Sequence, residues 1–242
     1  MPEAKSLLHR YADYYAKNMG LRVFPCNGKI PATPHGCKDA TTDTAQIAEW
    51  WGGNSAYNIA IATGGGLMVL DVDTNHDAGK YGDETLADLE RQHGKLPDTW
   101  TCLTGSGGVH YYFACNDPAL TVGAGFAPGL DYRGAGGYVI APPSIHPGTG
   151  RAYEWEASST PTSVPLATLP DWLHKLMLQG KRDKPKQAKS KEAPGKITEG
   201  RRNEEMFRLA ASLRAKGLTV AEITAAMMEA NKTRCDPPLS KR

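Results

Sequence analysis

Two aspartates, Asp71 and Asp73, stand at i, i+2 where the apolar run Leu67-Met68-Val69-Leu70 ends. In a strand that spacing puts both carboxylates on one face. Two like charges side by side on a buried strand repel each other and are costly to desolvate. A hard divalent cation with oxygen ligands, Mg²⁺ or Mn²⁺, relieves both costs. A strand end at which the two aspartates simply face water is the alternative that spacing leaves open. A third acidic residue of interest is Asp131, followed by Arg133 on the short run Leu130-Asp131-Tyr132-Arg133. This pair either completes an acidic site with a phosphate-binding cation beside it or forms a local ion pair. His110 opens the run Val109-His110-Tyr111-Tyr112-Phe113 and shares a strand face with Tyr112, as a structural or a functional histidine. Lys29 follows the Asn27-Gly28 turn beside Pro31, where a side chain is presented rather than packed; a solvated charge is the plain reading.

The elements that must position these residues alternate between helix and strand signals. A helical spacing of Leu7, Leu8, Tyr11, Tyr14 and Tyr15 is closed by Gly20. A short strand, Leu21 to Pro25, precedes the lysine turn. Thr44 is a candidate N-cap for a helix with Ile47, Trp50 and Trp51 on its apolar face. Asn58 to Ala62 reads as a strand, and Gly64-Gly65-Gly66 joins it to the aspartate strand as a hairpin or tight connection. A helix from about Asp83 to His93 follows. Thr99–Thr104 and Val109–Phe113 flank Gly105-Ser106-Gly107-Gly108 as a hairpin. Residues 116–128 read as a Gly/Pro-rich loop. Strands over Leu130–Arg133, Tyr138–Ala141 and Tyr153–Trp155 complete the set, and a helix from Pro170 to Gln179 starts with proline at its first position. Beyond it a polar Lys/Pro/Ser/Ala linker spans 180–196, then helices over Gly200–Gly217 and from Thr219 to about Lys232.

Composition excludes several classes. The 242 residues are 40% hydrophobic and 22% charged, those of an ordinary soluble globular chain. No apolar run approaches the ~20 residues of a membrane span. The first residues lack the apolar stretch of a signal peptide, so a cytoplasmic location is expected, in a bacterial or phage-infected cell once the resemblance below is considered. The five cysteines (26, 37, 102, 115 and 235) form no CxxC pair, so no zinc is expected. Net charge is +2, yet residues 181–196 alone carry +5, leaving the remainder at −3. The body therefore shows no bulk basic signature of nucleic-acid binding, and any such contact must be local.

Taken in order, the aspartate strand, the Gly107-Gly108-Val109-His110 hairpin and the Leu130-Asp131 strand, followed by Arg133 and Gly136-Gly137-Tyr138-Val139-Ile140-Ala141-Pro142-Pro143-Ser144, resemble the primase-polymerase (prim-pol) branch of the archaeo-eukaryotic primase superfamily. Its three motifs, an acidic h-D-x-D/E, an s-x-H and a final h-D, fall on Asp71 and Asp73, on His110, and on Asp131. Phe24-Pro25 through Pro31, Asp39-Ala40-Thr41-Thr42 and Trp50-Trp51 through Gly64 are similar to the family's opening, and the likeness covers roughly residues 8–175. The segment with Asn203-Glu204 and Asn231 to Leu239 resembles the small helical module that follows prim-pol domains in phage and plasmid replication proteins. One departure is Gly108, where the s-x-H motif often has serine; Ser106 or a backbone N–H would then serve.

The resemblance implies an α+β fold: an archaeo-eukaryotic primase-type core with antiparallel or mixed sheet and flanking helices (1–179), a basic flexible linker (180–196) and an all-α C-terminal module (197–242), with a helicase domain beyond. It implies a DNA primase/DNA polymerase that makes and extends primers on single-stranded DNA by two-metal nucleotidyl transfer. Asp71, Asp73 and Asp131 would hold two divalent ions, Mg²⁺ or Mn²⁺. His110, with Ser106, Lys29 and Arg133, would contact the NTP or dNTP. The alternative is a catalytically weak module that binds single-stranded DNA and positions a replicative helicase; clustered carboxylates facing a polyanion speak against it. Haloacid-dehalogenase-type phosphatases also open on Asp-x-Asp, but they want Thr or Val where this chain has Asn75. Glycosyltransferases that use Asp-x-Asp give the histidine and second aspartate motifs no role.

Overall fold

A computed structural model describes residues 5–76, 79–182 and 197–198, and after these 206, 209, 210, 213, 214 and 218–236. The chain divides into two compact units, Met1–Pro185 and Lys186–Arg242.

The first unit runs α1 (Leu7–Met19), β1 (Val23–Asn27), β2 (Ile30–Pro31), a 3-10 turn (Gly36–Asp39), α2 (Thr44–Gly53), β3 (Asn58–Ala62), β4 (Gly66–Val72), α3 (Gly82–His93), β5 (Thr101–Leu103), β6 (Val109–Cys115), β7 (Val122–Ala127), β8 (Leu130–Arg133), β9 (Tyr138–Ala141), β10 (Glu154–Trp155) and α4 (Asp171–Arg182). Two antiparallel sheets result, in the orders β2-β1-β3-β9 and β10-β5-β6-β4-β8-β7. The fold is α+β, as expected.

The helices begin and end where side chains satisfy their free backbone groups. Ser6 Oγ accepts from His9 N at 3.2 Å, and Gly20, in the left-handed region, closes α1. Asp43, not Thr44, caps α2, accepting from Ala45 N at 2.8 Å. Aspartate and threonine are adjacent good caps, so sequence leaves this one-residue ambiguity.

β4 shows how the core is built. Its alternate residues Met68, Leu70 and Val72 face one cluster with Phe113, Leu130, Tyr132, Leu86, Leu173 and Met177, which brings in α3 and α4. Leu67 and Val69 face the other way, into a cluster with Tyr112, Cys102, β1, β3, β9, α1 and α2. Strand alternation dictates this split. Each fully buried side chain of this kind contributes about 1.5–3 kcal/mol. The larger sheet is therefore covered on both faces, and the smaller sheet lies against the Leu67–Val69 face.

Several expectations need correcting. Of the hairpin or tight connection expected between β3 and β4, the structure has the tight connection. β3 pairs with β1 and β9, while β4 pairs with β6 and β8. Gly64 and Gly65 between them and Gly66 at the start of β4, all at positive φ, carry the chain from one sheet to the other. The Gly/Pro-rich 116–128 segment contains an edge strand, β7, paired with β8. Gly123 and Gly125 hide it, because glycine lowers strand propensity while leaving backbone pairing intact. α4 continues to Arg182, past the expected start of the linker at 180. Gly180 lies against Phe126 of β7, where a Cβ would meet the Phe126 Cβ at 2.8 Å, so close packing selects the glycine inside the helix. The rest of the linker, 183–196, lies outside the described residues.

In the second unit α5 (Val220–Arg234) starts with a capping box between Thr219 and Glu222. Met206, Ala230 and Cys235 are buried together, with Leu209 and Met227 against them. The expected all-α module is not purely helical. β11 (Ile197–Thr198) pairs in parallel with β12 (Cys235–Asp236). Such a two-residue pairing joins segments far apart in sequence and leaves no periodic trace. Most of the helix expected over Gly200–Gly217 lies outside the described residues; Met206, Leu209, Ala210, Leu213 and Arg214 are helical. Among the described residues no helix is long and apolar enough to cross a membrane.

Candidate active site

Asp71 continues the Leu67–Val69 stripe of β4, so it points toward the smaller sheet. Antiparallel register does the rest. His110 on β6 and Asp131 on β8 are the direct cross-strand partners of Asp71 on its two sides. Direct partners project from the same face with Cβ atoms about 4.5–5.5 Å apart. Leu130 and Tyr132 face the opposite cluster, which sends Asp131 and Arg133 to the Asp71 face. Three strands thus deliver a histidine, two carboxylates and a guanidinium to one spot.

The spot is a cleft of about 310 Å³. Asp71, His110 and Arg133 line it from the larger sheet, Tyr138, Val139 and Ile140 of β9 from the smaller one, and Lys29 and Tyr153 from loops. Lys29 is positioned through its backbone. Tyr138 Oη donates to Lys29 O at 2.9 Å. The buried Asn58 side chain donates to Gly28 O at 2.9 Å and to Ile145 O at 2.7 Å, and accepts from Ile145 N at 3.0 Å.

Electrostatics hold Asp71 ionised. Arg133 Nη2 lies 3.2 Å from Asp71 Oδ2 and 3.2 Å from Asp131 Oδ2. His110 Nε2 is 3.5 Å from Asp71 Oδ1. Burial pushes the Asp71 carboxyl up, but the hydrogen bond and charge of His110, and then those of Arg133, overcome this and hold it at about 2. The other ring nitrogen of His110, Nδ1, is buried without a partner among the described residues. Gly125 N donates to Asp131 Oδ1 at 2.6 Å, which orients that carboxylate. Asp73 lies just past the end of β4, where Lys80 Nζ reaches its Oδ2 at 2.5 Å. That hydrogen bond, against the opposing effect of burial, raises the Lys80 pKa; the charge of Asp73 and then of Asp131 and Asp71 adds to it.

Of the residues singled out from sequence, the structure brings Asp71, His110, Asp131 and Arg133 together, with Lys29 across the cleft. Asp73 is two residues on, engaged with Lys80, and neither it nor Asp131 is among the residues lining the cleft. Ser106 is exposed, its Oγ 3.0 Å from Thr104 Oγ1, and it is not among the residues lining the cleft. The departure at Gly108 has a steric cause. A Cβ at 108 would lie 2.4 Å from Val72 O and 3.3 Å from Thr104 Oγ1, so this hairpin admits no side chain there. Sequence reasoning missed Tyr153, Tyr138 and Lys80. Tyr153 and Tyr138 reach the cleft through tertiary packing. Lys80 belongs to a polar loop whose return to Asp73 is not periodic. Its only local signal is a lysine seven residues after the aspartate.

The donor chemistry fits a hard divalent ion. Asp71 is anionic across the physiological range, and Asp71 and Asp131 share the Arg133 guanidinium between their oxygens. Among the described residues no group of three His, Cys, Asp or Glu is gathered closely enough to hold a metal ion.

Residues 12–172 match the family model described as the N-terminal domain of bifunctional DNA primase/polymerase. Residues 190–242 match that of primase C terminal 1. No curated protein matches the chain. The first match spans about two thirds of the sequence and contains β4, β6, β8 and the whole cleft. The chain belongs to the prim-pol family of bifunctional DNA primase/polymerases.

Proposed function

We propose that this chain synthesises primers on single-stranded DNA and extends them, as a template-directed nucleotidyltransferase of phage or plasmid replication. The observation that carries the reading is the in-register row His110–Asp71–Asp131, of which His110 and Asp71 line, with Lys29, a cleft of nucleotide-binding size. Family membership supports the same chemistry.

In this reading Asp71 and Asp131, with Asp73 beside them, hold two divalent ions, Mg²⁺ or Mn²⁺. Such ions neutralise charge on the attacking and leaving oxygens of an in-line phosphoryl displacement. The protein's own residues do the rest. His110 and Lys29 bind the anionic triphosphate of an incoming NTP or dNTP with charge-assisted hydrogen bonds. Asp131 stands nearest the attacking 3′-oxygen. Tyr138 and Asn58 keep the Lys29 turn at a fixed distance from the carboxylates. Ser106, or a backbone N–H of its hairpin, remains the candidate for a further phosphate contact.

The domain layout is part of the proposal: a prim-pol core, a basic linker and a C-terminal module that assists initiation and delivery to a helicase, in this or a partner chain. The match at 190–242 supports the last element.

The test is incorporation of labelled NTPs and dNTPs on single-stranded DNA, with and without an annealed primer, in Mg²⁺ and in Mn²⁺. Product without a primer is expected from the wild type. Asp71→Asn and Asp131→Asn should each lower incorporation by roughly a thousandfold or more, the scale of removing transition-state charge stabilisation. Wild-type incorporation by either folded variant would overturn the assignment.

A further inference from the structure

Arg133 stands in an unusual place for a residue that only contacts phosphate. A guanidinium binds a carboxylate best as a two-pronged fork with contacts of about 2.7–2.9 Å. Here one nitrogen, Nη2, is divided between two carboxylates at 3.2 Å each. The side chain is 29% exposed and its two partners 18% and 23%, so the contact lies at the open edge of the cleft rather than in the core. Arg133 is the cross-strand partner of Val69, one step along the same face from the Asp71–Asp131 pair. It therefore reaches back along the sheet to them. Lys80 holds Asp73 by a single contact of 2.5 Å. Each of the three carboxylates has a basic side chain on it.

We propose that Arg133 is an exchangeable counter-ion of the acidic pair. It competes with a divalent ion for the same oxygens, Asp71 Oδ2 and Asp131 Oδ2, and is released toward the triphosphate side of the cleft when the ion binds. This rests on the functional reading above, which assigns those carboxylates to metal. The consequence is coupling. A divalent ion frees the guanidinium that a triphosphate can use, so ion and nucleotide favour each other's binding through one side chain. Arg133 is then a positioning residue with two successive partners. Removing it should strengthen metal binding, the reverse of what structural damage would do.

The experiment titrates Mn²⁺ alone into the full chain, without nucleotide, and reads free Mn²⁺ by electron paramagnetic resonance. Arg133→Gln should bind Mn²⁺ about tenfold tighter than wild type, since a competing unit charge has been removed from the site. Asp71→Asn should lose the binding. Equal or weaker Mn²⁺ affinity in Arg133→Gln overturns the exchange. Should that variant be unfolded without metal, Mn²⁺ must restore its melting transition beyond what NaCl of equal ionic strength restores; no such rescue also overturns it. The two failures are separable. If Asp71→Asn binds Mn²⁺ like wild type, the metal assignment itself falls. If Asp71→Asn loses Mn²⁺ while Arg133→Gln is unchanged, only the exchange falls.

Discussion

The Gly108 position offers the sharpest test of how the site is held. Gly108→Ala adds one methyl group at the foot of β6. Its Cβ would stand 2.4 Å from Val72 O, whereas side-chain Cβ atoms essentially never approach closer than 3.0 Å, so the two backbones must part by roughly 0.6 Å. The carbonyl it pushes belongs to the residue between Asp71 and Asp73. Overpacking of this kind costs about 1–3 kcal/mol. For a domain of this size that lowers Tm by about 2–4 °C per kcal/mol, or roughly 4–8 °C for a mid-range cost. All five tryptophans (50, 51, 100, 155 and 172) lie in the first unit, so tryptophan fluorescence follows its melting without interference from the second. Activity should suffer more than stability. A misplacement approaching 1 Å can cost about a hundredfold in rate, so incorporation well below the melting point should fall roughly tenfold to a hundredfold. Gly108→Ser, which restores the residue common in the family's motif, should do the same or worse. If Gly108→Ala melts within a degree of wild type and incorporates nucleotide at the wild-type rate, the hairpin is softer than this argument requires.

Three further expectations follow. The Asp71 carboxyl at about 2, below the usual aspartate value of about 3.9, contributes about 2 kcal/mol that is fully present above pH 4 and is lost as pH falls through 2. The stability gap between wild type and Asp71→Asn, measured by urea unfolding, should therefore shrink between pH 4 and pH 2; a flat gap would contradict the cause given. Asn58→Ala leaves Gly28 O and both backbone groups of Ile145 without their side-chain partner, a loss of about 2–4 kcal/mol. Unfolding free energy reduced by less than 1 kcal/mol would show that water replaces the amide cheaply. The Tyr112 hydroxyl is buried without a partner among the described residues, so Tyr112→Phe should leave stability unchanged or raise it by up to about 1 kcal/mol; a clear loss would reveal a partner.

Much of the site was legible because strand alternation is a local rule. Leu67 to Asp73 announced a strand with carboxylates at its end. Composition placed His110 on a hairpin strand, and motif order paired it with Asp131. Register was not legible. Nothing in Leu130-Asp131-Tyr132-Arg133 says that Asp131 stands opposite Asp71 rather than Val69, because a two-residue slip keeps every side chain on its face. Sheet membership was hidden for the same reason. Asn58–Ala62 and Leu67–Asp73 are consecutive apolar strands with a glycine turn between them, and only packing shows that the turn is a crossing. β7 was lost because its glycines carry no side-chain pattern. Tyr153 and Lys80 reach the site from loops, where position depends on the whole fold.

The crossing at Gly64–Gly66 has a counterpart at Gly134–Gly137, and the two are fastened together. Thr63 Oγ1 donates to Gly134 O at 2.7 Å, and Thr63 N donates to Gly137 O at 2.9 Å. Both sheets are therefore woven from both halves of the unit. β3 stays unpaired on one side until β9 arrives, and β4 until β8 arrives. A nascent chain released before Leu130 would hold two incomplete sheets with open edges, the condition that invites pairing with other chains. Such long-range closure slows folding. Because Asp71 meets Asp131 only when β8 joins β4, no fragment ending before Leu130 should assemble the acidic pair, and the carboxylates come together only through a pairing distant in sequence.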